Sequence, residues 1–207
     1  MPRWVFVSDA RSGSLVDRES RNFPPRSATG DGRAVTRYVI EPDRSVVFIE
    51  ARSSVHPINT RTDGLEGLID CRLDGGGALD LATPPAAQLS LRVDRLRSGN
   101  PLEDRELRRR IDAKHFPTID GVLREIKPTA DADGYLVAGD ITFRGVTLGY
   151  EHPMTFTPVD ELTLLIAGDA SFDVRDFGMD PPRILMLRVE PVVHVRVEII
   201  AATSATS

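Results

Sequence analysis

Four histidines, one cysteine and a run of arginines are the residues of this 207-residue chain whose types suit chemistry. His56, His115, His152 and His194 are nowhere close enough in sequence for a zinc site, and Cys71 has no cysteine partner. His152 lies two residues after Tyr150 on an alternating stretch, so both point to one side. There His152 can hydrogen-bond a ligand head group or line a mouth, and either residue could act as acid or base in an isomerase or cyclase. His194 falls on the opposite, outer side of its strand. On a short helical stretch Arg105, Arg108, Arg109 and Arg110 interleave with Glu103, Asp104 and Glu106. Such a run usually pairs with itself as a solvated face. If the helix caps a cavity, one arginine, with Arg105 as the candidate, can hold a phosphate or carboxylate through two parallel bonds. Asp176-Phe-Gly178 has the letters of a kinase tripeptide without the Gly-rich loop, Val-Ala-Ile-Lys or His-Arg-Asp that accompany it. Gly75-Gly-Gly77 lacks the Lys-Ser/Thr of a phosphate loop. No catalytic residue, cofactor motif or metal site is therefore assigned, and the chain reads as a non-enzyme.

Composition narrows the partners. A net charge of -5 argues against nucleic acid or an anionic membrane as a bulk partner. A hydrophobic content of 41% suffices for a buried core. The single cysteine forbids an internal disulfide and suits a reducing compartment. No run of about 18 apolar residues is present to cross a membrane. Trp4-Val-Phe-Val7 is too short for a signal segment, so a cytoplasmic location is expected.

The elements that must position these residues are mostly strands. Residues 1–35 are rich in Arg, Ser, Asp, Gly and Pro and read as a flexible tail; a docked strand at Trp4-Val-Phe-Val7 is the sharper alternative. In Tyr135–Phe143 the residues Tyr135, Val137, Ile141 and Phe143 share one face. The phase changes at Arg144-Gly145, after which Val146, Leu148, Tyr150, His152, Met154 and Phe156 take over the inner face. A tight hairpin follows, with Asp140 and Arg144 on the outside in reach of each other. Strands are also expected at 37–40, 45–51, 65–73, 87–93 and 118–126, the last with a slip in its apolar phase. Two more follow: one puts Leu162, Leu164, Ile166, Ala170, Phe172 and Val174 on its inner face, and the last spans residues 185–199. Asn100-Pro101 opens one helix that ends before Phe116-Pro117.

Eight long strands in sequential order, one short helix and no helical crossover predict an all-β, antiparallel up-and-down barrel of lipocalin type over residues 36–202. Phe143, Leu148, Tyr150, His152, Ile166, Phe172, Val193 and Val195 should point inward, with Thr147, Ser171, Arg188 and Arg196 outward. Gly67, Ala87, Gly139, Gly168 and Ala170 are small inward residues and are expected to leave room for a ligand. A fully packed barrel that serves as a protein-interaction module is the alternative. An apolar chain of about 15 carbons would contribute on the order of 12 kcal/mol at roughly 0.8 kcal/mol per methylene, before ordering costs.

These pieces resemble the YceI-like family of lipocalin-like polyisoprenoid-binding proteins. Tyr38-Val-Ile-Glu-Pro-Asp-Arg-Ser-Val-Val-Phe48 is similar to the family's opening motif, with Arg44 where a His is usual. Ser98-Gly-Asn100 and Leu102-Glu-Asp-Arg-Glu-Leu107 are similar to its helical segment, with Glu103 for Arg and Glu106 for His. Gly139-Asp-Ile-Thr-Phe-Arg-Gly-Val-Thr147 and Arg175-Asp-Phe-Gly-Met179 are the most specific matches. The resemblance implies an eight-stranded barrel that binds, stores or transports an isoprenoid or fatty-acid-like lipid. The candidate ligand contacts are the eight inward residues and Arg105. A homodimer is the one assembly kept open. Secretion, frequent in the family, is not supported by the N-terminal sequence.

Overall fold

The computed structural model describes residues 34–203 except 132, 182, 185 and 186. The expected tail over 1–35, with its Trp4-Val-Phe-Val7 patch, lies outside them but for Ala34 and Val35. The first five strands are β1 (Thr36–Ile40), β2 (Val46–Ser53), β3 (Ile58–Thr62), β4 (Leu65–Cys71) and β5 (Ala86–Arg92), all but β3 built on alternating apolar residues. Helix α1 (Pro101–Ile111) follows, then β6 (Thr118–Pro128), β7 (Gly134–Phe143), β8 (Val146–Pro158), β9 (Thr163–Asp173), β10 (Arg183–Ile184) and β11 (Leu187–Thr203). Among the described residues no helix is long and apolar enough to cross a membrane.

The strands close as an eight-stranded antiparallel barrel, because β1 with β2, and β3 with β4, are two long strands each broken once. β1 and β2 both pair with β11, at Ile40↔Ala201 and Val46↔Glu198. Across the break, Ser45 substitutes its side chain for the ladder: its hydroxyl accepts from Ile200 N–H at 3.0 Å and donates to Ile200 O at 3.2 Å. The break between β3 and β4 falls at Asp63-Gly64, where Gly64 has φ +90°. The slip in the apolar phase of β6 is a register shift between Leu123 and Glu125.

Three local expectations are corrected. No strand is read in the sequence between Ala51 and Leu65, yet β3 is there. Its inward positions are Thr60 and Thr62, both buried, so a hydrophobicity pattern passes over it. Leu162 is 61% exposed, not inward. Asp160 accepts from its N–H at 2.8 Å, which makes Leu162 the end of a turn, and the strand starts one residue later. Asp140 and Arg144 do not pair. Asp140 instead accepts from Arg124 Nε at 2.6 Å across the sheet.

The hairpin itself is as read: Arg144 (φ 49°) and Gly145 (φ 77°) give a type I′ turn between Phe143 and Val146. That backbone turns Arg144 off the outer face and onto the end of the barrel. There its guanidinium donates to Ile111 O (3.4 Å), Phe177 O (3.3 Å) and Gly178 O. These carbonyls end α1 and the short 3-10 turn Val174–Phe177, where backbone acceptors lack helical partners.

The two ends of the barrel differ. At the end where β7 begins, Tyr38, Ile69, Cys71, Leu79, Tyr135 and Leu164 are all buried and pack as a plug. Tyr135 meets Phe156 edge-on at 5.4 Å, and its hydroxyl accepts from Leu79 N–H at 3.0 Å. α1 occupies the opposite end. Asn100 caps it by accepting from Leu102 N–H at 3.0 Å, Pro101 supplies its first residue, and Asp112 (φ 59°) ends it.

Candidate functional site

Between the plug and α1 the barrel is hollow. The cavity measures about 370 Å³, within the range of about 300–1,000 Å³ usual for small-molecule sites. Its floor can be read along single strands. On β11, Val193, Val195 and Val197 border the cavity and are half-buried, while Ile199 and Ala201 on the same face are 3% and 0% exposed. On β9, Phe172, Ala170 and Gly168 border it, and below them Ile166 and Leu164 are buried. α1 roofs the space with Leu107 and Ile111, four residues apart on one helical face.

Of the inward residues read from the sequence, Phe143, His152, Phe172, Val193 and Val195 border the cavity. Ile166, Leu148 and Tyr150 also face in but sit behind this wall, within or against the core. Tyr150 lies edge-on to Phe172 at 4.9 Å and stacks on Phe177 at 6.0 Å. Arg105 is exposed and does not border the cavity. Thr147, Ser171, Arg188 and Arg196 are exposed on the outside, and Ser171 Oγ meets His194 Nδ1 there at 2.8 Å.

The small inward glycines do not make the room. A Cβ on Gly67 would lie 2.2 Å from Gln88 O, one on Gly139 2.8 Å from Val122 O, and one on Gly168 2.9 Å from Met154 Cγ. They permit close approach of backbone and side chain instead. The space comes from short side chains such as Ala170 and the valines of β11. A gap in the ladder adds to it: β8 and β9 are in register only over Met154–Pro158. Phe156 N–H bonds toward β7, at Asp133 O, so by alternation the nitrogen of Pro153 faces β9 and has no hydrogen to give. Beyond that point the aromatic contact of Tyr150 with Phe172 joins the two strands.

Among the cavity residues that the sequence does not single out are Glu103, Asp104, Phe177 and Met179. Glu103 and Asp104 belong to the charged run that the sequence presents as a solvated face, yet their spacing to Leu107 and Ile111 places all four on one stripe, and all four border the cavity. Phe177 and Met179, both buried, come from the Asp-Phe-Gly stretch: Gly178 (φ 65°) ends a 3-10 turn that sets Phe177 edge-on to Phe143 at 5.5 Å. Two members of the arginine run are paired within it, as read. Arg109 and Arg110 hold Glu106 at 2.7 and 2.8 Å and draw its carboxyl down to about 2.

Among the described residues of the cavity wall, His152 keeps a buried polar atom that the protein does not satisfy. Its ring stacks on Tyr150 at 6.0 Å and meets Phe172 at 5.6 Å, and Nε2 is buried without a partner among the described residues. Burial lowers its pKa, against the opposing pull of Asp169 and Glu151. Burial pushes the Tyr150 phenol up to about 12, helped by Asp176 and Asp173, so it stays protonated at neutral pH. A pH dependence follows. Above about pH 6.5, the free imidazole value, His152 is neutral in both folded and unfolded chains and adds no pH term. As pH falls below that value the unfolded chain takes up a proton that the folded protein resists, so stability declines toward the folded pKa. Urea midpoints across this range should fall with acidity in the parent protein and fall less in His152→Leu. Equal slopes would remove His152 as the cause.

The family model described as the YceI-like domain matches residues 38–201. A search among curated proteins finds no match. Among solved structures, BcnA of Burkholderia cenocepacia is similar with TM-score 0.65 at 18% identity, covering 79% of this chain and 99% of that one. A polyisoprenoid binding domain from Saccharophagus degradans is similar with TM-score 0.65 at 12% identity, covering 81% and 98%. The Campylobacter jejuni YceI protein is similar with TM-score 0.58 at 12% identity, covering 72% and 86%. At such identities the likeness concerns the fold.

Proposed function

Because this chain belongs to the YceI-like family, we propose that its barrel binds, stores or carries a long-chain amphiphile, isoprenoid or fatty-acid-like, without transforming it. The observation that carries this reading is the cavity itself: about 370 Å³ of space walled largely by Val, Leu, Ile and Phe side chains, in a barrel otherwise packed. Apolar surface left bare in this way gains free energy when a hydrocarbon chain covers it. The solved polyisoprenoid binding domain with the same fold supports the class of ligand. Phe143, Phe172, Val193 and Val195 are assigned to the tail, His152 to a polar group, and Leu148, Tyr150 and Ile166 to the shell behind them. Arg105, exposed on α1, is left at most a role at the rim. The cytoplasm is the assigned place of action. Cys71 is buried there, with its thiol pushed up to about 12, and is unreactive.

The protein purified without detergent should yield an amphiphile on organic extraction and mass spectrometry. Stripped of it, the protein should bind a neutral solvatochromic dye that such amphiphiles displace. A protein that carries no lipid and takes up no dye would refute the binding reading. An enzymatic use of the same cavity would have to rely on His152 and a Tyr150 phenol that stays protonated. Turnover of a bound isoprenoid that disappears in His152→Ala would replace binding by catalysis.

A further inference from the structure

Resting on the binding reading, we infer that the cavity selects by head-group charge: it takes amphiphiles with an uncharged or cationic hydrogen-bond-donating head, a long-chain alcohol or amine, over carboxylates and phosphates with the same tail. Its described wall includes Glu103, Asp104, Asp120, Asp169 and Glu190, and neither Lys nor Arg. Three of these acids are not inside. Asp120 turns its carboxylate to Ser90 Oγ and Thr118 Oγ1 at 2.7 and 2.9 Å, and Asp169 and Glu190 are exposed. Glu103 and Asp104 are different. They are 8% and 6% exposed and lie on the underside of α1, on the stripe with Leu107 and Ile111.

What holds these two carboxylates is neutral. Glu103 Oε1 accepts from Asn100 Nδ2 at 3.0 Å, and Asp104 Oδ1 accepts from Ser98 N–H at 2.7 Å and Ser98 Oγ at 2.9 Å. Among the described residues, these bonds engage one oxygen of each carboxylate and leave the second as an acceptor. The arginines of the helix stay out of the wall: Arg109 and Arg110 hold Glu106, Arg105 is exposed, and the half-buried Arg108 does not border the cavity. A helix N-terminus would ordinarily draw an anion, but the first turn of α1 already carries this pair. His152, held neutral by its burial, adds no positive charge to the wall. An anionic head at the roof thus meets two like charges in a water-poor space, where they repel far more than in water. A hydroxyl or ammonium meets ready acceptors.

The test uses the full chain, loaded with a neutral dye such as Nile red, and four competitors of one chain length at neutral pH: hexadecanol, hexadecylamine, palmitate and hexadecyl phosphate. The alcohol and the amine should displace the dye at concentrations about tenfold or more below the two anions. Glu103→Gln, and Glu103→Gln with Asp104→Asn, should narrow that gap by tightening the anions; both keep the acceptors used by Asn100 and Ser98. Palmitate or the phosphate binding as tightly as the alcohol to the parent protein would overturn the inference and leave lipid binding intact. A gap that persists in folded double variant would overturn the role given to the two acids. No dye uptake at all would bring down the binding reading and this inference with it.

Discussion

Ala170→Trp should all but abolish uptake of a long-chain amphiphile while leaving thermal unfolding close to that of the parent protein. Ala170 borders the cavity on β9, between Gly168 and Phe172, and faces Val195 on β11. An indole there would fill space that the protein leaves open, so it displaces ligand rather than packed side chains. If it excludes about four to six methylenes at roughly 0.8 kcal/mol each, the loss is about 3–5 kcal/mol, on the order of 100- to 4,000-fold in affinity. Gly168→Leu, two residues away, is the contrast. Its first added carbon already falls 2.9 Å from Met154 Cγ and 3.1 Å from Pro153 O, so it should destabilise by about 1–3 kcal/mol or more through overpacking. Dye retention and thermal unfolding measured on both variants give the answer. Strong destabilisation by Ala170→Trp, with no dye bound by the parent protein, would mean that the barrel is closed in solution and has no cavity to fill.

The second large effect is expected at Arg144. Type I′ turns favour Asn-Gly or Gly-Gly, since both central residues need positive φ. An arginine at φ 49° is therefore there for its side chain. Its guanidinium joins three parts of the same end of the barrel: the β7–β8 turn, the last turn of α1 through Ile111 O, and the 3-10 turn through Phe177 O and Gly178 O. Arg144→Ala should lower stability by about 2–4 kcal/mol, from the lost charged hydrogen bonds and the acceptors left behind. Arg144→Gly relaxes the turn and should recover about 1 kcal/mol of that, no more. Both should speed dye release, because α1 roofs the cavity and loses a tie at Ile111. If Arg144→Gly matches the parent protein in urea unfolding, the side chain has no structural role and the tie is refuted.

This residue also marks how far the chain could be read without its structure. The phase change at Arg144-Gly145 announces the hairpin, and with it the register that sends Phe143 and His152 in and Thr147 out; the alternation of β9 does the same for Phe172 and Ser171. Alternation is a local property with a period of two, and a slip of one residue would have exchanged whole faces. Asn100-Pro101 announced the helix start by the same kind of local chemistry, capping at the first turn. Sequential order of strands without crossovers then leaves little besides a closed meander.

Other properties depend on what lies across the barrel, and no local pattern carries that. Thr60 and Thr62 are buried because β3 is half of a long broken strand paired with β2; their polarity hides the fact. Gly67, Gly139 and Gly168 looked like gaps and are points of close approach, which only the distance to Gln88, Val122 and Met154 reveals. Arg144 and Asp140 looked like each other's partners and belong to α1 and β6. Glu103 and Asp104 shared a stripe with Leu107 and Ile111 from the start. Which side of a charged helix meets a cavity, and which meets water, was decided only when α1 was laid across the open end of the barrel. By its own periodicity the sequence determined the faces of its strands and where the chain turns. The free volume and the sign of charge at its roof came from long-range packing, since volume and field are sums over residues distant in the chain.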